Sequence, residues 1–208
     1  MIAALHPGAF YHCEALEGPH FAHHFDRLIR PEALDAAALA GVTCLLVPCR
    51  TNPARLLPHR ALFEAFLNRG GTLVAMGETF QDLWLPGLEL TTVPTDWWWW
   101  LTPDAELGLR LAAPEHPLLR GFAARDLCWH LHGWFTPPEG AEVLVTDAEG
   151  RAVMFVDAAR WGGGRLLATT LDPLYHHGSH FMPATTRFLD RFLPNLAAWC
   201  AEPAETAQ

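Results

Sequence analysis

Two continuous apolar runs, VTCLLV (42–47) and TLVAM (72–76), flank the stretch NPARLLPHRALFEAFLNRGG (52–71), whose apolar residues recur at helical spacing before a Gly-Gly stop. Runs without polar alternation fit strands covered on both faces, and two such strands joined through a helix form a right-handed parallel unit. Few folds accommodate this unit, and a wound α/β sheet is the simplest. MIAAL (1–5) reads as a strand before it, and RPEALDAAALAG (30–41) as a short helix, with proline near its start and glycine after its end. From Asp126 the pattern changes. DLCWHLHGWF, AEVLVTD, AVMFVDA and GRLLATTLD read as four strands, with DAEG and RWGGG as hairpin turns, and PATTRFLDRFLPNLAAW as a closing helix.

The predicted fold class is therefore α/β: a flavodoxin-like three-layer sandwich with a mainly parallel sheet, extended by antiparallel strands in the C-terminal half. A length of 208 residues, half of them hydrophobic, suits one domain over 1–200 and a flexible tail over 201–208. A Trp- and Pro-rich insertion is expected over 85–115.

Composition removes several function classes. The net charge of -9 comes without a basic cluster, which argues against nucleic acid as a partner. VTCLLV is far too short to span a bilayer, and no secretory leader is visible, so a cytoplasmic protein without membrane partners is expected. Five scattered cysteines suit reduced thiols. The chain has no lysine, which excludes Schiff-base chemistry on that residue, and its single serine, Ser179 in HHGSHF, does not sit in a G-x-S-x-G elbow.

LLVPCRTN with the helix after it, NRGGTLVAMGETFQDL, HPLLRGF and WGGGRLLATTLDPLYHHG together resemble the class I glutamine amidotransferase-like superfamily, and within it the ThuA-like proteins. The resemblance implies a pocket at the carboxyl ends of the parallel strands. It also implies an absent glutaminase. Gly77 falls where the family places its nucleophilic cysteine, Pro48, Cys49 and Arg50 replace the Pro-Gly-Gly oxyanion loop, and Leu171, Asp172 and Pro173 replace the H-P-E. Glutamine hydrolysis needs an activated thiolate, a base and oxyanion donors, and none stands at its position. What remains at the implied pocket is polar: His6, Arg50, Asn52, Glu78, Thr79, Asp172, His176 and His177, a set suited to a small polar ligand, which the resemblance implies is carbohydrate-derived.

Two histidine clusters stand apart from that inheritance, CWHLHGW and YHHGSH. If DLCWHLHGWF is a strand, Cys128, His130 and His132 share one face, and such donors can grip zinc or another divalent metal. The four tryptophans Trp97 to Trp100 cannot all enter one core face, because a strand turns them to both sides and a helix spreads them around its circumference. Core filling, a subunit interface and a stacking platform for sugar rings each suit them. Three readings follow: an amidotransferase-like binder of a small polar ligand, a non-catalytic scaffold that forms a homo-oligomer through the tryptophan segment, and a metal-dependent hydrolase using the histidines.

Overall fold

The structure, a computed structural model, describes residues 1–102, 107–127 and 129–202. In chain order its elements are β1 (Ile2–Leu5), α1 (Phe10–Glu17), β2 (Arg27–Ile29), β3 (Cys44–Val47), α2 (Pro53–Leu56), α3 (Arg60–Asn68), β4 (Thr72–Ala75), α4 (Gln81–Trp84) and β5 (Glu89–Thr92). There follow β6 (Arg110–Leu111), β7 (Gly133–Thr136), β8 (Glu142–Thr146), β9 (Ala152–Asp157), β10 (Arg165–Thr169), α5 (Pro173–Gly178) and α6 (Pro183–Ala201), with short 3-10 turns between.

One sheet runs in the order β2-β1-β3-β4-β10-β9-β7-β5, with β8 on β9 and β6 on β8. The first five strands are parallel, and β9 turns antiparallel on β10. The apolar runs are explained by burial on both faces. Ala4, Leu46, Val74 and Leu167 face a core completed by Phe188 and Phe192 of α6, while Leu5, Leu45, Leu73 and Leu166 face Phe63 and Phe66 of α3. This is the flavodoxin-like sandwich with antiparallel strands in its C-terminal half.

Local chemistry adjusts several predicted elements. The helix expected over 52–69 divides into α2, a 3-10 turn over Leu57–His59 and α3, because Pro58 has no N–H for the ladder and crowds the preceding turn. RPEALDAAALAG forms only a 3-10 turn over Pro31–Ala33 followed by further turns; the Asp35 carboxylate captures the Ala38 N–H at 2.7 Å, and Leu34 and Leu39 anchor the loop in the core. DLCWHLHGWF is a strand only from Gly133, so the expected shared strand face of Cys128, His130 and His132 does not exist, and Cys128 lies outside the described residues.

The 85–115 segment is stitched to the sheet edge rather than set apart from it, with β5 pairing antiparallel to β7 and β6 to β8. Within it, Trp99 packs against the core, whereas Trp97 and Trp98 are 42% and 66% exposed. At the chain's end α6 runs on to Ala201, one residue into the expected tail, and the tail from 203 onward lies outside the described residues. Among the described residues no helix is long and apolar enough to cross a membrane.

Candidate functional site

The turns after β3 and β4 carry three non-glycine residues in left-handed backbone, Arg50 (φ 60°), Glu78 (φ 54°) and Phe80 (φ 51°), and the first two face each other. Each such residue costs about 1–3 kcal/mol, and this kind of strain concentrates at functional sites. It aims the two side chains at each other across adjacent strand ends: Arg50 Nη2 lies 2.6 Å from Glu78 Oε2 and 3.6 Å from Asp172 Oδ2. The Tyr175 ring supports the guanidinium from one side, at 3.6 Å from its centroid. Trp97 lies 5.6 Å from it.

Asp172 sits between the end of β10 and α5 and is 0% exposed. Its Oδ2 is 3.1 Å from His132 Nε2 and its Oδ1 3.3 Å from His176 Nε2, while His176 Nε2 meets His130 Nε2 at 3.2 Å. The two imidazole approaches to Asp172 are close but poorly aligned, so neither carboxylate oxygen has a well-formed hydrogen bond. Burial opposes ionisation of Asp172, yet His132 and His176 together hold its carboxyl well below the usual range. Burial lowers His130 to about 4, against the pull of Asp172. His130 is thus neutral near pH 7.

His132 is held from its other side, with Nδ1 2.8 Å from Thr95 Oγ1 and 3.5 Å from Glu78 Oε1. Trp97 packs on His130 and His132, at 4.8 and 5.8 Å between ring centroids. Beside this cluster opens a cavity of about 220 Å³, lined in part by Glu78, Gln81, Thr92, Thr95, His132 and Thr170. It lies on the side of the carboxyl ends of β4 and β10.

Of the residues predicted for ligand binding, the fold brings together Arg50, Glu78, Asp172 and His176. It joins them to His130 and His132, which the sequence had suggested as a separate metal pair. The others are engaged elsewhere. His6 Nδ1 contacts Arg30 Nη1 at 2.9 Å and its Nε2 faces Glu17 at 3.3 Å. Asn52 caps α2, accepting the Ala54 N–H at 2.9 Å; Thr79 donates to the Met76 carbonyl at 2.8 Å; and His177 meets Thr186 at 2.9 Å and packs on Phe21. Sequence reasoning missed Thr95 and Tyr175, and offered Trp97 only as one of four tryptophans suited to core, interface or sugar stacking. Only proximity to the tryptophan run and to His176 could have flagged the first two.

No protein-family model matches the sequence, and no curated protein matches it. Solved structures do. A GMP synthase-type protein from Thermoplasma acidophilum superposes with a TM-score of 0.58 at 12% identity, over 95% of this chain and 94% of its own. A ThuA-like protein from Bacteroides uniformis gives 0.57 at 12%, over 98% and 91%. This is the glutamine amidotransferase-like fold. A glutamine amidotransferase from Thermotoga maritima gives 0.50 at 12% identity, over 97% and 86%.

In this chain the turn after β4 is built around Gly77. A Cβ there would stand 2.2 Å from the Thr170 carbonyl oxygen and 2.8 Å from that of Leu171, both backbone atoms, so the close approach of β4 and β10 leaves no room for a side chain. The first strained residue of the turn is the next one, Glu78. Cys49 is fully buried, with Sγ accepting the Tyr175 N–H at 3.1 Å, and burial, reinforced by the Asp172 charge, pushes its thiol well above the ordinary range.

Proposed function

We propose that this protein binds a small, neutral, polyhydroxylated ligand of about one sugar ring in the cavity beside Glu78 and His132, and that it does not hydrolyse glutamine. The convergence of Arg50, Glu78, His132 and Asp172 from separate segments, two of them on strained backbone, carries this reading. A cavity of about 220 Å³ is smaller than the usual range for drug-sized ligands. Two carboxylates against one guanidinium leave the site net negative, which repels phosphorylated or carboxylated ligands and favours hydroxyl donors. Trp97 at the margin offers an apolar ring to the C–H face of a sugar.

Glutaminase chemistry finds no support in the site, because Gly77 cannot carry a nucleophile and Cys49 is held as a buried thiol. The test is a thermal-shift screen of neutral monosaccharides and polyols beside their phosphorylated counterparts. Neutral compounds should stabilise the wild type, Glu78→Gln should remove the response, and Asn52→Ser, which keeps the α2 cap, should retain it. A preference for the phosphorylated series, or no response from any neutral compound, would refute the proposal.

A second reading, self-association through the tryptophan segment, is favoured by the exposure of Trp97, Trp98 and Leu101 on neighbouring positions. Light scattering at micromolar concentration distinguishes a monomer from a homo-oligomer.

A further inference from the structure

We infer that His130, His132 and Asp172, with His176 as a fourth donor, hold one divalent transition-metal ion of the zinc class behind the cavity wall that His132 forms. The donor atoms of His130, His132 and Asp172 all lie within 4.8 Å of one another, and all three residues are buried. Separations along the cluster are 3.1 Å (His132 Nε2 to Asp172 Oδ2), 3.3 Å (Asp172 Oδ1 to His176 Nε2) and 3.2 Å (His176 Nε2 to His130 Nε2). A tetrahedral ion bound at about 2.0–2.1 Å requires ligand atoms roughly 3.3 Å apart. The three neighbouring separations are near that length, and the remaining pairs would have to close up when an ion binds.

Hydrogen bonding alone leaves this arrangement short of partners. Asp172 is a fully buried carboxylate, yet both of its oxygens and His132 Nε2 lack an aligned hydrogen bond despite their proximity. Donors that converge on a common point, rather than on one another, produce such close but misaligned pairs. A cation at that point would take one Asp172 oxygen and the inward nitrogens of His130, His132 and His176 as its four ligands. Imidazoles with one carboxylate select zinc or a neighbouring first-row ion over calcium or magnesium, which prefer oxygen ligands throughout.

His132 also has the outer contact expected of a metal ligand, because Thr95 Oγ1 stands 2.8 Å from its Nδ1 and can fix the ring with Nε2 turned inward. Thr95 is therefore a positioning residue and not a ligand. The inference adjoins the cavity of the proposed ligand site and deepens that reading: the metal would sit behind His132, which lines that cavity.

The experiment uses the untagged full chain, stripped with chelator and titrated with zinc and with cobalt(II). The expected result is one equivalent bound, a cobalt spectrum with the intense visible bands of a four-coordinate ion, and a higher melting temperature with metal than without. Asp172→Asn and His132→Gln should abolish stoichiometric binding. Thr95→Val should weaken it by about 10–100-fold. His23→Ala, on the surface, should leave it unchanged. Failure of the wild type to bind either ion at one equivalent overturns the inference, as does a cobalt affinity unchanged by Thr95→Val, a variant outside the ligand set that keeps the assay informative if Asp172→Asn does not fold. A polyol response in protein that binds no metal would sink the metal and leave the ligand reading standing. One equivalent of metal without a response to any neutral polyol would do the reverse.

Discussion

Installing the missing cysteine, as Gly77→Cys, should damage the fold instead of restoring an amidotransferase. The new Cβ would lie 2.2 Å from Thr170 O, 2.6 Å from Thr170 C and 2.8 Å from Leu171 O, all backbone atoms that cannot rotate away. Relief requires the ends of β4 and β10 to part by about 1 Å, since ordinary carbon–oxygen contacts are well above 3 Å. That movement breaks the Gly77 N–H bond to Leu171 O, now 2.9 Å, and disturbs the Arg50 N–H bond to Gly77 O, now 3.0 Å. Overpacking of this kind costs about 1–3 kcal/mol, and one lost hydrogen bond about 0.5–1.5 kcal/mol. A total near 3 kcal/mol corresponds to roughly 6–12 °C in melting temperature for a chain of this size. Thermal unfolding by circular dichroism measures the loss, and ammonia release from glutamine should stay at background. A Gly77→Cys protein that melts with the wild type, or that releases ammonia, would refute the claim that this turn has no room for a side chain at position 77.

Burial lowers His12 to about 4, opposed by its Nε2 contact with the Cys49 carbonyl at 2.9 Å and assisted by His6. A histidine kept neutral in the fold leaves stability intact above its unfolded value near 6.5 and withdraws it as pH falls from there towards 4, by up to about 3 kcal/mol. His12→Gln should flatten that part of the stability profile; equal slopes for variant and wild type would contradict the assignment. Cys49 should resist alkylation in the native protein at pH 8 and react after unfolding, and rapid native labelling would mean that the thiol is accessible.

The parallel half was legible because burial on both faces writes itself as continuous apolar runs, as in β3 and β4, and because Gly70 and Gly71 mark the end of α3. Elements decided by tertiary contact were not. Helix α1 has no side-chain cap, and it lies against α5 so closely that a Cβ on Gly178 would meet the Tyr11 carbonyl at 2.0 Å. No local pattern encodes that approach. Arg50, Glu78, Asp172 and His176 could be picked out because the strand ends of such a sheet converge. The approach of His176 to His130 and His132 was open in the sequence only as a condition, that the end of the last core strand come near them, since those residues lie in irregular chain whose path is set by the β5–β7 pairing and by Trp97 packing over the imidazoles.

The central claim, that Glu78 is held in strained backbone for a ligand and not for the fold, is tested most directly by Glu78→Gly, melted with and without the neutral polyols that stabilise the wild type. Glycine removes the left-handed penalty of about 1–2 kcal/mol, which offsets the loss of the ion pair to Arg50, a charge-assisted contact between side chains 24% and 26% exposed that contributes about 1.5–3 kcal/mol. The expected result is a melting temperature within a few degrees of the wild type, with the polyol response gone. A melting temperature several degrees lower with the polyol response intact would contradict the account.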